Sequence, residues 1–424
     1  MNNNSFALPN MSDKPKFFYG YIVVLVSTII MMVSWGIFLS FGIFLEPLLL
    51  EFGETRAVTS AIYSIAILIN GLSAIVTGRL NDKFGPRLAM TICGALLGIG
   101  YLLMSQINAT WQIYLIYGGM IGTGMSGTFV PLTSTVARWF DERRGMMTGI
   151  IFSGQGLGLV IMPLVISRLI YSYGWRDSYF MIGIISLVLI IIAAQFLKRD
   201  PTQVGQTAYG KTRSESDNPS SQAKLFSLRQ AVSTKQFWIL GAILFSILFS
   251  VDGVMIHIVI YATGLGIAAT AAANILPIIG AFGIFGRFAT GVVSDRIGNK
   301  PSLVISFTLM SVALILLTFT TDLIMLYLFA AIFGISFGAL MVLMSPITAE
   351  LFGLRSLGLI LGVLIFIADI GDASSPIVVG RIFDVTGSYN LAFITTAGFA
   401  ILGIILSLLI TPIHKESQIQ SKQH

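Results

Sequence analysis

Gly78-Arg79-Leu80-Asn81-Asp82-Lys83-Phe84-Gly85-Pro86-Arg87 and Gly291-Val292-Val293-Ser294-Asp295-Arg296-Ile297-Gly298-Asn299-Lys300 share one punctuation, and matched positions differ throughout by 213. Each stretch fills the short gap between two long apolar runs. A charged, glycine-marked elbow repeated at half the chain length reads as two copies of one membrane module. Paired membrane halves are a common way to build a binding site between two bodies that rock.

Working outward, apolar runs long enough to cross a bilayer core fall at 20–46, 57–80, 87–105, 109–133, 143–168 and 178–197. A second set falls at 237–263, 270–294, 301–320, 323–347, 357–380 and 389–411. The fold class is therefore an all-α membrane protein of twelve transmembrane helices in two six-helix, pseudo-symmetric halves. Strands of a membrane barrel would alternate in polarity over about ten residues, and no run does. Of 424 residues only 10% are charged, and mean hydropathy is +0.87. A soluble domain carries about a quarter charged residues, so lipid is the expected solvent for most of the surface.

The net charge of +6 follows topology rather than a nucleic-acid partner. With the N-terminus cytoplasmic, 20 of the 25 Lys and Arg fall in cytoplasmic loops and tails, while Arg56, Arg168, Arg176 and Arg381 fall outside. Basic residues concentrate in loops that are not translocated, so both termini are expected inside the cell at the plasma (inner) membrane. The first run is too long for a cleavable signal, and Met11 offers a second start. Cys93 stands alone, so no disulfide within the chain is possible.

Residues 198–236 form a polar stretch that includes Ser214-Glu215-Ser216-Asp217-Asn218-Pro219-Ser220. It buries too little apolar surface to fold alone and divides the chain into an N-terminal half (1–197), a cytoplasmic linker (198–236) and a C-terminal half (237–424). Phe226 to Thr234 reads as a short amphipathic helix. In the elbows, Gly78 and Gly291 permit close helix approach. Asp82 and Asp295 are suited to helix N-termini or to cations of neighbouring loops, such as those of Arg138-Trp139-Phe140-Asp141-Glu142-Arg143-Arg144. With Arg87 and Arg296 they make a candidate conformational latch.

Twelve spans, a central linker and Gly-x-x-x-Asp-(Arg/Lys)-x-Gly-x-(Lys/Arg) after spans two and eight resemble the major facilitator superfamily. Tyr173-Gly174-Trp175-Arg176, Arg144-Gly145 leading into Gly154-Gln155-Gly156-Leu157-Gly158, and Gly286-Arg287-Phe288 resemble its monocarboxylate transporter and oxalate–formate antiporter branch. The resemblance implies alternating access and small carboxylate substrates.

Ionisable side chains inside a membrane are costly, so each is a functional candidate. Arg287 keeps its proton and presents a fork that matches a carboxylate; in the branch it resembles, an arginine at this place binds substrate. The bland alternative is a permanent ion pair with Asp369 or Asp372. The position 213 residues earlier is Ala74, so the repeat does not need the charge. His257 matches a cavity histidine of some bacterial relatives, though a helical histidine is often only a hydrogen-bond partner for a neighbour. Asp369 and Asp372 share a helix face. Oxalate–formate antiporters carry a lysine that aligns at Ala368, absent here. The acid that monocarboxylate transporters often place four residues before the arginine is Gly283, and a span-one lysine of many animal members aligns near Leu39. Asp369 is therefore the expected proton carrier, with Asp252 and Asp372 as further candidates and neutralisation of Arg287 by substrate as the expected trigger. Trp35, Phe38, Phe129 and Gln155 are candidate cavity residues.

No nucleophile with a base, metal cluster or phosphate loop is present, so neither an enzyme, a cofactor nor a metal site is expected. Drug–proton antiporters often bear Gly-Pro in span five, where this chain has Gly154-Gln155-Gly156. The reading is a secondary transporter of small monocarboxylates such as lactate, pyruvate or formate, driven by protons and working as a monomer in the bilayer. Oxalate/formate-type exchange, or transport of another organic anion, is the alternative.

Overall fold

The computed structural model describes residues 17–52, 56–210, 226–268, 271–272 and 274–411. Met11 and the polar run 214–220 lie outside the described residues. The N-terminal half contains α1 (Gly20–Leu39), α2 (Phe41–Phe52), α3 (Arg56–Phe84), α4 (Pro86–Met104), α5 (Thr110–Ile113), α6 (Gly122–Trp139) and α7 (Arg144–Gln195). After the linker come α8 (Leu228–Val232), α9 (Lys235–Gly264), α10 (Ile275–Ile297), α11 (Asn299–Thr318), α12 (Leu323–Phe352), α13 (Leu357–Thr386) and α14 (Asn390–Leu409).

Among the described residues, ten helices are long and apolar enough to cross a membrane. One of them, α7, is two spans joined at Gly174, whose φ of 78° and ψ of 168° break an otherwise continuous helix. The fourth span is assembled from α5, a π-helical stretch (Tyr114–Ile121) and α6. The result is twelve spans in two sixes.

Three local departures from the sequence reading have physical causes. The first apolar run is not one straight helix. Ser40 Oγ donates to the carbonyl of Gly36 at 2.6 Å, and the Ser40 N–H turns to Ile37 O at 3.1 Å, which tightens and ends α1. The expected loop between spans five and six shrinks to Gly174, and the residues around it form a clasp. Trp175 Nε1 donates to Glu51 Oε2 at 2.8 Å, Arg176 donates to Glu51 Oε1, and Arg176 Nη1 also donates to Ile107 O at 2.7 Å. The linker is not wholly without structure either. The Tyr209 N–H donates to Trp139 O at 2.9 Å, and Tyr209 O accepts from the N–H groups of Asp141 and Glu142 at 3.0 and 3.1 Å. Polar chain that cannot fold alone borrows main-chain partners from the loop between α6 and α7. Farther on, Ser227 and Gln230 form a reciprocal cap on α8.

Gly174 stands in a backbone region open essentially to glycine alone. Gly174→Ala is expected to cost about 1–3 kcal/mol and to lower the unfolding midpoint of the purified protein. Gly398→Ala, in open space on α14, is the control and leaves the midpoint unchanged or slightly raised.

Candidate functional site

Two seams join the halves, α3 against α13 and α10 against the first part of α7, and they repeat each other with the offset of 213. Gly78 faces Gly358 in one seam as Gly291 faces Gly145 in the other. A methyl group on Gly358 or Gly291 would stand 2.7 or 2.5 Å from the facing carbonyl oxygen, so the backbones touch only because side chains are missing. One turn deeper, Ala74 faces Gly362 as Arg287 faces Gly149; deeper still, Gly71 meets Asp369 as Ile284 meets Gly156. These close approaches run from mid-membrane to the end that carries the linker. That end is sealed.

The elbow carboxylates fasten it. Asp82 accepts from the first free N–H groups of α13, at Gly358 (3.1 Å) and Leu359 (2.8 Å). Asp295 accepts from those of α7, at Gly145 (2.7 Å) and Met146 (2.9 Å). Each half thus caps a helix of the other with a negative charge at the positive end of its dipole. Arg138 Nη2 also donates to Asp82 at 3.2 Å. Position 351, 213 residues on, is Leu; at the second elbow it is Arg144, on the capped helix itself, that lies within electrostatic reach of Asp295. Neither Arg87 nor Arg296 crosses between halves: Arg87 Nε donates to Gln195 at 2.7 Å, and Arg296 lies exposed at its elbow. The cross-half partners were legible only by applying the offset, because Gly145 maps onto Gly358.

Arg287 occupies the second seam at 1% exposure. Its Nη2 donates to Gln155 Oε1 at 3.3 Å, and its guanidinium lies 5.4 Å from the Phe337 ring centre. Nε has no hydrogen-bond partner. Among the described residues Arg287 makes no ion pair, so the permanent salt bridge to Asp369 or Asp372 is absent. Taking a guanidinium out of water costs on the order of several kcal/mol. A hydrogen bond to a charged group returns about 1.5–3 kcal/mol, and a ring face about 0.5–2 kcal/mol. The bond to Gln155 is long, so the site is left short of negative charge. Gly156 makes room for it: a methyl there would stand 3.0 Å from Nη1. Trp35, on α1, is a second buried donor without a partner at its Nε1.

The acids gather at the other seam. Asp369, 5% exposed, accepts from Asn70 Nδ2 across the halves at 3.2 Å. The offset explains why it does not meet Arg287, since Asp369 corresponds to Gly156 and each lies in its own seam. The direct electrostatic exchange expected between the two is therefore not available in this conformation. Asp252 and Asp372 are partly exposed although both stand near the middle of their helices, and the two acids neighbour each other across α9 and α13. His257 spends both ring nitrogens within its own half, on the Tyr389 hydroxyl and the Pro376 carbonyl, each at 3.2 Å. It braces α9 against α13 and α14 and stands apart from Arg287. Asn70, Phe337 and Glu51 carried no sequence signal, because uncharged or terminal residues are unremarkable until their neighbours are known.

The chain matches the family model of the Major Facilitator Superfamily over residues 24–299 and 284–424. It belongs to that superfamily. As a facilitator it is a transporter and not an enzyme. It is 26% identical over 394 residues to monocarboxylate transporter 13 of Rattus norvegicus, covering 92% of this chain and 89% of that protein. It is 28% identical over 296 residues to the oxalate:formate antiporter of Oxalobacter formigenes, covering 70% and 68%. The solved proton:xylose symporter XylE shares the fold, with a TM-score of 0.72 at 15% identity over 93% of this chain and 96% of that one.

Removing one carboxylate cap costs about 1–2 kcal/mol, close to a tenfold change in opening. A cysteine replacing Ser294, which is 5% exposed beside Gly145, reports on the seal in a Cys93→Ser background. Asp295→Ala is expected to raise its alkylation rate about tenfold; an unchanged rate would contradict the capping role.

Proposed function

We propose that the protein is a proton-coupled carrier of small monocarboxylates, of the lactate, pyruvate or formate kind, working by alternating access. The observation that carries this reading is the buried, carboxylate-free guanidinium of Arg287 in a seam between the halves. Its open Nε and weakly engaged Nη2 present two parallel donors, the geometry that a substrate carboxylate accepts. Gln155 positions the fork and Gly156 leaves space for it. The relatives named for monocarboxylate and oxalate:formate transport support an organic anion as cargo. Among the described residues no second lysine or arginine is buried beside Arg287, which favours a monoanion over oxalate.

With the linker end taken as cytoplasmic, the sealed conformation is the one that receives substrate from outside the cell. Binding neutralises Arg287, and the same charge deficit that holds the site empty at a cost is relieved. The proton is assigned to the opposite seam. Asp369 reads the contact between halves through Asn70, and Asp252 and Asp372 stand near it as further candidates. Protonation of Asp369 removes the charge that Asn70 stabilises and loosens α3 from α13. The two seams rock as one, so the two cargoes are coupled through rigid-body motion and not through direct contact. The plasma membrane, cytoplasmic termini and a single working chain complete the proposal.

Uptake of labelled acids into proteoliposomes tests it. Arg287→Ala is expected to lower uptake on the order of a hundredfold or more, the consequence of losing a buried charge pair, and Gly156→Ala to raise KM by crowding the guanidinium. An acid exterior should accelerate wild-type uptake. In Asp369→Asn, substrate exchange should persist while accumulation against a gradient is lost; accumulation that survives removes Asp369 from the proton path.

A further inference from the structure

The elbow of the first half borders a basic pocket that the proposed substrate and proton sites do not include. A cavity of about 280 Å³ is lined by Phe84, Gly85, Pro86, Arg87, Lys198 and Arg199, among others. Three cations therefore meet where the start of α4 approaches the end of α7. Arg87 uses Nε on Gln195, and its terminal nitrogens have no hydrogen-bond partner among the described residues. Lys198 stands 5.3 Å from the Tyr19 ring centre. Asp200, the neighbouring acid, is divided between Arg199 at 3.4 Å and Arg138 at 3.8 Å. Positive charge exceeds negative around this cavity.

The repeat supplies an internal control. Arg87 corresponds to Lys300, whose Nζ donates to the carbonyls of Leu408 and Ile410 at 2.8 and 2.7 Å. There the cation is consumed in closing the end of α14. In the first half the chain continues past the matching positions, Gln195 and Leu197, into Lys198 and Arg199, where the second half has Thr411 and Pro412. The extra cations are thus a feature of one half only, and the fold does not need them to end a helix. Phe84, 55% exposed, lines the cavity and offers an apolar edge to it.

We propose that this pocket binds a phosphate ester at the linker-end membrane surface, namely the headgroup of an anionic phospholipid. Basic pockets beside membrane helices recognise such headgroups, each cation near the surface contributing about 1 kcal/mol. The phosphate lies against Arg87, Lys198 and Arg199, and the acyl chains run along Phe84.

Native mass spectrometry of the purified protein with short-chain phosphatidylglycerol, phosphatidylethanolamine and inorganic phosphate tests this. One saturable phosphatidylglycerol site is expected, tighter than for phosphatidylethanolamine. It should weaken about fivefold for each of Arg87→Gln, Lys198→Gln and Arg199→Gln, and on the order of a hundredfold in the triple variant. Lys300→Gln, at the matching place in the other half, should leave it unchanged. Displacement of the lipid by inorganic phosphate would show that the phosphate alone suffices; no displacement would show that the lipid tails are part of the ligand. Equal binding of the two lipids, or affinity unchanged in the single variants, overturns the proposal.

Discussion

Two carboxylates, each holding the first backbone N–H groups of a helix in the opposite half, set the state in which this molecule is seen. Asp82 on α13 and Asp295 on α7 fasten the seams at one end, and the glycines beside them let the backbones touch. The interaction is reversible by design of its chemistry. Charge-assisted hydrogen bonds to main-chain donors are strong when dry and readily exchanged for water when exposed. The two locks differ in their cations: Arg138 bonds Asp82 directly, while Arg144 lies within electrostatic reach of Asp295.

That arrangement explains why a lone guanidinium persists in the seam. A buried cation without a counter-charge is unfavourable, and replacing it with an apolar residue would often stabilise the fold. The other seam shows the alternative: Ala74 occupies the equivalent place and packs without difficulty. Arg287 is thus a cost that the architecture does not impose. The acids of α9 and α13 are the converse case, negative groups gathered at the opposite seam with Asn70 and with each other. Charge is thus segregated between two pseudo-equivalent interfaces, the cation in one and the acids in the other.

Much of this was legible in the sequence. The 213-residue repeat gave the two sixes, and the burial of charge in apolar runs marked Arg287, Asp252, Asp369 and Asp372. What the sequence did not yield was pairing. Helical periodicity says which residues share a face but not which seam a face enters, so Asp369 was expected beside Arg287 and instead stands at the counterpart of Gly156. His257 looked like a cavity group because it is ionisable; its two hydrogen bonds to Tyr389 and Pro376 depend on a third helix that no local pattern reveals. The docking of 198–210 was hidden for a similar reason, since its partners are main-chain groups of the 139–142 loop.

The most direct test is equilibrium binding of labelled lactate to the purified protein, with lactamide, its neutral isostere, as competitor. If Arg287 awaits a carboxylate, lactate binds saturably, lactamide fails to compete, and Arg287→Gln abolishes binding while the protein stays folded. Equal competition by lactamide, or undiminished lactate binding to Arg287→Gln, would contradict the assignment of an organic anion to this seam.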